Sequence, residues 1–385
     1  MERICLEARS DWKSQAEEYG FTFHSPDGQP YWHEDHAYSL TMGEVDAIED
    51  ASNQLVSMTL TLVERVVSCD ELLGKLQIPR EYWAWIRKTW KEKEPSLYGR
   101  FDLAYNPGTK AIKLLEYNAD TPTALYEAAV FQWCWIEQLI QLGRLPMEVD
   151  QFNGIEDALC EQMQKLKIQG VLHLGYITES EEDGGLIDYL CRIAEDLQIT
   201  TKPIDINEIG LNEVGEFLDM QDLWIKNLFK LYPWEMILRD KFGPSVPDAG
   251  TRFIEPPWKC ILSNKGILPL LWEMYPNHPL LLESYFADNT EHNMLKYVIK
   301  PIFSREGSNV TIIENGQIIV QTDDKQYGKE GSIIQAYAEL PNFDGNYPVI
   351  GSWVVGETAC GMGIREDSSL ITSNFSRFVP HFISG

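Results

Sequence analysis

Tyr98-Gly99-Arg100-Phe101-Asp102-Leu103-Ala104-Tyr105-Asn106-Pro107-Gly108-Thr109-Lys110-Ala111-Ile112-Lys113-Leu114-Leu115-Glu116-Tyr117-Asn118-Ala119-Asp120 reads as two extended runs around a turn. Phe101 to Tyr105 and Ala111 to Tyr117 are β-like, and Asn106-Pro107-Gly108-Thr109 is turn chemistry. Side chains two apart on a strand share a face. Arg100 and Asp102 therefore share one face of the first strand, and Glu116 and Asn118 one face of the second. A hairpin in the right register gathers all four. Three oxygen donors (Asp102, Glu116, Asn118) and a guanidinium suit a Mg²⁺-bound phosphate, with hard oxygens for the metal and the Arg for the anion. A solvent-facing hairpin carries similar residues for no such purpose. Thr121-Pro122-Thr123 follows, offering hydroxyls to a substrate or a cap to the next helix.

Upstream, an aromatic-rich irregular entry (Tyr19 to Tyr38) leads into an apolar repeat through Val45, Ile48, Leu55, Met58, Leu62 and Val66. Its period predicts a helix from Thr41 to about Leu76, with Thr41 and Glu44 as a capping box. Downstream, a helix is expected from Thr123 to Leu142. The middle third alternates helix Ile155–Leu166, strand Val171–Ile177, helix Leu186–Leu197 and strand Ile199–Ile204, which implies a small parallel sheet. Gly243 to Pro257 reads as a connection. The last third is β-rich: Tyr297–Lys300, Val310–Ile313, Gln317–Gln321, Ser332–Tyr337, Val349–Val355 and Cys360–Ile364. The fold class is α/β (α+β) with at least two lobes.

Two further constellations carry charge. Lys265, Lys300 and the loop Ser304-Arg305-Glu306-Gly307-Ser308-Asn309 place cations and a flexible Gly/Ser turn between strands, whose N–H groups can fold over phosphates. No Walker pattern is present; an ordinary hairpin turn is the alternative. Gly361-Met362-Gly363-Ile364-Arg365-Glu366-Asp367 puts an Arg on a strand that opens with two glycines. Arg365 can grip a carboxylate or phosphoryl group, or pair on the surface with Glu366 or Asp367.

The formal charge of −27 makes nucleic acid an unsuitable partner, because phosphate contacts need a basic surface. It suits solubility and would also attract a cationic substrate. No run of about 18 apolar residues exists, so no membrane helix is expected. Met1 to Glu7 has no apolar core of a signal peptide, and the expected location is cytoplasmic. Seven cysteines scattered singly argue against disulfides and zinc; Cys134, between two tryptophans, reads as packing. The seven histidines show no spacing that singles one out.

Together these segments resemble the synthetase domain of the glutathionylspermidine synthetase family, especially its stand-alone bacterial relatives. The matching stretches are Tyr98 to Asp102, Leu115 to Asp120, Ser263-Asn264-Lys265, Lys300-Pro301-Ile302 with Arg305-Glu306-Gly307, and Gly363-Ile364-Arg365. They stand in the family's order over essentially the whole chain. The resemblance implies an ATP-grasp fold in a permuted, glutathione-synthetase-like arrangement. Residues 1–150 would hold the N-terminal helical region and the metal-binding hairpin, 151–257 a pre-ATP-grasp-like βα subdomain, and 258–385 the lid and the remaining catalytic sheet. The implied cofactors are ATP and Mg²⁺, and the implied partners a small-molecule carboxylate and an amine. It implies Asp102, Glu116 and Asn118 as Mg²⁺ ligands, and Arg100 and Arg365 as clamps on the reacting groups. Lys265, Lys300, Arg305, Glu306, Gly307 and Ser308 would hold nucleotide phosphates, and the backbone around Gln335 and Ala336 the adenine. Thr121 and Thr123, where the family has serines, and the acidic pair Glu181-Glu182 would meet substrates. Arg377 falls where an acid would help to bind an amine, so the acid and amine stay open. No stretch corresponds to the amidase domain of the bifunctional members. A kinase on the same fold, a nucleotide sensor and a hydrolase built on Glu116 and Asp120 are the alternatives.

Overall fold

The hairpin is the edge of a five-stranded antiparallel sheet, ordered Arg377–Val379, Thr358–Asp367, Tyr347–Val355, Tyr98–Asn106, Ala111–Asn118. The computed structural model describes residues 1–288, 292–323 and 327–384. Strands far apart in sequence thus build one central sheet. Its first turn closes as the sequence dictates: the Asn106 side-chain oxygen accepts from the N–H groups of Gly108 and Thr109, both at 3.0 Å.

Helix Met42–Val67 packs along this sheet. Its start is the expected capping box. Thr41 Oγ1 accepts from the Glu44 N–H at 3.3 Å, and Glu44 Oε2 accepts from the Thr41 N–H at 3.0 Å, an arrangement worth about 1 kcal/mol. The buried stripe Val45, Ile48, Leu55, Leu62 and Val66 faces the core, and the Ser52 and Ser352 hydroxyls meet at 2.7 Å within it. The apolar repeat runs on to Leu76, but the helix does not. The Ser68 hydroxyl takes the Arg65 carbonyl at 2.7 Å and Cys69 is extended, so a separate helix starts at Asp70–Lys75. A serine that satisfies a terminal carbonyl competes with the next helical turn.

The segment after the hairpin also departs from expectation. Instead of one helix from Thr123, a π-helical turn, Glu127–Phe131, precedes Gln132–Gln141. Such wide turns are frequent beside functional sites, and this one holds Glu127 with only 4% exposure.

The middle third forms a four-stranded parallel sheet, ordered Arg252–Ile254, Asn227–Lys230, Leu172–Tyr176, Thr201–Asp205. Helix Glu181–Asp196 makes the crossover from Leu172–Tyr176 to Thr201–Asp205. Arg252–Ile254 lies within the stretch read as a connection. Three residues are too few for a period, and only the pairing with Asn227–Lys230 makes them a strand. A second five-stranded antiparallel sheet runs Ser284–Phe286, Ser332–Ala336, Lys296–Pro301, Thr311–Glu314, Gln317–Gln321. The irregular entry contributes to a three-stranded sheet of Glu2–Cys5, His36–Thr41 and His381–Ser384. All seven cysteines are free, and no described helix is long and apolar enough to cross a membrane.

Candidate functional site

The hairpin register is the one that gathers the four polar residues: Arg100 stands opposite Asn118, and Asp102 opposite Glu116. Across the next strand, Gly351 pairs with Asp102 and Trp353 with Arg100. One strand further, Gly363 pairs with Gly351 and Arg365 with Val349. Alternation puts Arg365 on the same face of the sheet. Glycines clear the floor between them: a Cβ on Gly351 would stand 2.7 Å from Arg100 Cδ, and one on Gly363 2.7 Å from the Phe378 ring. Arg100 lies across that gap. It donates to both Asp102 oxygens, at 2.7 and 3.1 Å, and to the Thr123 carbonyl at 2.6 Å. Asn118 Nδ2 donates to Asp102 at 3.0 Å and lies 3.4 Å from Glu116.

Two lysines approach this row from the other chain segments. Lys265 Nζ pairs with Glu116 at 3.1 Å and donates to the Ser304 carbonyl at 2.7 Å. Lys300 Nζ donates to Gln335 Oε1 at 2.8 Å and to the Leu115 carbonyl at 3.1 Å. Burial pushes the Glu116 carboxyl up, but Lys265 and Lys300 outweigh it and hold the group down at about 2. Burial lowers Lys300 to about 8 against the opposing pull of Glu116, with Lys265 adding repulsion.

The cations divide into two kinds. Arg100, Lys265 and Arg305 are each neutralised, by Asp102, Glu116 and Glu235 respectively. Lys300 and Arg365 meet only neutral acceptors: among the described residues no carboxylate lies within ion-pair distance of either. Arg365 donates to the carbonyls of Ser373 and Asn374, and Glu366 and Asp367 do not engage it. Placing unpaired cations in a cleft is costly unless an anion arrives there.

The cleft has two communicating chambers that share Asp102, Glu116, Lys265, Ser304, Glu306, Gly307 and Thr372. One has apolar walls from Val298, Val310, Ile312, Val349, Leu370 and Ile371, with Lys300 and Gln335 at its polar end. Apolar walls with a few polar groups at one end have the character of a small-molecule pocket. The other is lined by Arg100, Asn118, Thr121, Thr123, Arg305 and Arg365. Gly307 closes over both. Its φ is +68° and an added Cβ would lie 2.3 Å from the Thr372 carbonyl, so only glycine fits this turn.

A third, smaller cavity adjoins at Thr123 and contains Glu127, Glu181, Glu182 and Asp183. Burial, with Glu127 next, pushes Glu182 up to about 8; burial pushes Asp183 up to about 6 and raises Glu127 as well.

Most residues singled out from the sequence thus line one cleft: Arg100, Asp102, Glu116, Asn118, Thr121, Thr123, Lys265, Lys300, Arg305, Glu306, Gly307, Gln335, Ala336 and Arg365. Glu181 and Glu182 stand in the adjoining cavity. Ser308 is not among the lining residues; its N–H closes the turn on the Arg305 carbonyl at 2.8 Å. The Gln335 side chain, rather than its backbone alone, reaches the cleft, while the Ala336 N–H is committed to the Glu283 carbonyl at 2.7 Å. Arg377 lies outside, beside Glu366 at 3.4 Å. Asp120 is spoken for: it pairs with buried Lys230 and accepts from the Trp234 N–H at 2.8 Å, which removes the free carboxylate that a hydrolase on Glu116 and Asp120 would need. Glu127 was missed because it sits in a stretch whose apolar neighbours read as helix, and Glu235 because nothing near it in sequence marks it; its partner Arg305 is 70 residues away.

Comparison with known proteins bears on the family and the fold. The family model described as glutathionylspermidine synthase preATP-grasp matches residues 3–384. A Haemophilus influenzae protein that bears the provisional name acid–amine ligase is 41% identical, over 97% of both chains. Trypanothione synthetase of Crithidia fasciculata is 30% identical over 84% of this chain and 53% of its own length. The bifunctional glutathionylspermidine synthetase/amidase of Escherichia coli is 25% identical over 90% of this chain and 59% of its own. The chain therefore spans little more than half of those two relatives. Among solved structures, a glutathione synthetase-like effector from Globodera pallida superposes with a TM-score of 0.59 at 11% identity, covering 99% of this chain and 100% of its own. The α/β, ATP-grasp architecture expected from the sequence is that of glutathione synthetase-like proteins.

Proposed function

Because the chain belongs to the glutathionylspermidine synthase preATP-grasp family, we propose that it is an ATP-dependent ligase that joins a carboxylate to an amine. The observation that carries this is the pair of unneutralised cations, Lys300 and Arg365, flanking a row of oxygen donors in one cleft. In the reaction, a substrate carboxylate oxygen attacks the γ-phosphorus of ATP, the bond to the β-phosphate oxygen breaks, and ADP leaves. The amine nitrogen then attacks the acyl carbon, phosphate leaves, and the nitrogen loses a proton. Lys300, steadied by Gln335 at the polar end of the apolar chamber, binds phosphate, and Arg365 faces the group in transfer. Asp102, Glu116 and Asn118 fit a Mg²⁺ ion: two carboxylates and an amide that presents its oxygen once turned over form a hard donor set. When bound, the ion neutralises phosphate charge; the chain's own carboxylates hold it. Gly307 and its loop exclude water from the acyl phosphate.

The acid and amine are chosen at the second chamber. Thr121 and Thr123 offer hydroxyls there, and buried Glu127 with half-buried Glu182 and Asp183 next door favour a cationic amine over a neutral one. The test is turnover of ATP and Mg²⁺ with a pooled panel of carboxylates and amines, following nucleotide, phosphate and organic products. ADP and free phosphate that rise with one acid–amine pair, together with an amide product, support the ligase. A stable phosphorylated acid would mean a kinase, and ATP binding without ADP under every mixture would mean a sensor.

Lys300 gives a separate check. Lys300→Ala is expected to weaken ATP binding by about 10- to 100-fold, the loss of one charge-assisted contact, with an unchanged melting temperature. Its sign with pH is also fixed. Phosphate favours the ammonium form, and Lys300 titrates near 8 in the free protein. Affinity should be flat below that pH and fall above it, where binding must take up a proton. Calorimetry should find that slope in the native protein and not in Lys300→Arg; the same slope in both would remove Lys300 from the phosphate site.

A further inference from the structure

On the opposite side of the strand that carries Arg365, a second cluster has no part in this chemistry. His33, Asp35 and His36 converge at the start of strand His36–Thr41, with the donor atoms all within 4.8 Å of one another. His33 Nε2 lies 3.4 Å from Asp35 Oδ1, and His36 Nδ1 lies 2.9 Å from the same oxygen. The two imidazole rings stack, centroids 4.5 Å apart. Donors about 2.0–2.1 Å from a tetrahedral ion stand roughly 3.3 Å from each other, so both measured spacings need only small adjustment.

The second observation is the group behind His33. Its Nδ1 lies 3.1 Å from Glu366 Oε1, and Glu366 is fully buried. Glu366 also accepts from Arg3 at 2.7 and 2.8 Å and from the Tyr38 hydroxyl at 2.7 Å. The two ring nitrogens of His33 thus face carboxylate oxygens on either side, Nδ1 that of Glu366 and Nε2 that of Asp35. A carboxylate behind a histidine is the arrangement that orients metal-binding imidazoles.

We propose that His33, Asp35 and His36 form a site for a divalent transition-metal ion of the Zn²⁺, Co²⁺ or Ni²⁺ class, with Glu366 as the positioning residue behind His33. Two imidazole nitrogens and one carboxylate oxygen select this class over Mg²⁺, so the site is distinct from the oxygen-donor row in the cleft. The remaining coordination positions are open to water, since Asp35 is half exposed.

Co²⁺ titration of the chelator-treated, reduced, nucleotide-free chain in excess Mg²⁺ tests this through the visible d–d bands of the ion. One equivalent should bind with the intense bands of low coordination number. His36→Ala and Asp35→Asn should each weaken binding at least about tenfold, with melting curves unchanged before metal is added. No Co²⁺ binding by the native chain would overturn the site. So would equal affinity in both variants, or a sulfur charge-transfer band that survives His36→Ala and moves the ion to a cysteine. None of these outcomes depends on ATP turnover, so the ligase proposal stands or falls separately.

Discussion

Replacing Arg365 with alanine is expected to cut ATP-dependent product formation by about 10²- to 10³-fold and leave ATP affinity within about threefold. Arg365 borders the chamber beside the one that holds Lys300, faces the same way as Arg100 and Asp102, and has no carboxylate partner among the described residues. Its charge is therefore available to a group that gains negative charge during transfer, and such a contact changes turnover more than ground-state binding. Arg365 also ties down the loop that carries Ser373, Asn374 and Ser376, so a mere structural role has to be separated. Arg365→Lys keeps the positive charge and loses the fork. Partial recovery of turnover in the lysine variant, at an unchanged melting temperature, is the expected result. Parallel losses in ATP affinity and turnover, with a lowered melting temperature in both variants, would make Arg365 a loop anchor instead.

Glu116→Gln should reduce Mg²⁺-dependent ATP turnover by at least about 10³-fold, because it removes one of two carboxylates from the donor row. The same change should strengthen nucleotide binding measured without Mg²⁺. Glu116 is held at about 2 and so is ionised throughout the working range, where it neutralises Lys265 and draws on Lys300. Glutamine frees Lys265 for phosphate and lifts the pull of Glu116 on Lys300, while keeping the size of the side chain. Opposite signs in the two measurements would mark a metal-binding carboxylate; weaker nucleotide binding with and without Mg²⁺ would show that Glu116 only positions the lysines.

The hairpin was legible because its information is local. Asn106-Pro107-Gly108-Thr109 is a turn by the chemistry of its own side chains, and alternation then puts Arg100 with Asp102 and Glu116 with Asn118. The capping box at Thr41 and Glu44 was legible for the same reason. The break at Ser68 was not, since the apolar repeat continues past it and only the hydroxyl on the Arg65 carbonyl ends the helix. Arg252–Ile254 was hidden because a three-residue strand exists only through its neighbour.

The site divides along the same line. Sequence by itself determined which residues carry charge near turns and strand ends, the family they resemble, and the face that each hairpin residue takes. Only the tertiary structure decided which cations stay unneutralised. Arg305 finds Glu235 from 70 residues away, Lys265 finds Glu116, and Arg365 turns from its neighbours Glu366 and Asp367 to backbone carbonyls. Charge pairing falls off within a few ångströms and depends on what the chain brings close, which spacing along a sequence does not encode. The cluster at His33, Asp35 and His36 is the converse case. The residues are adjacent in sequence, but the buried carboxylate that orients one of them comes from position 366.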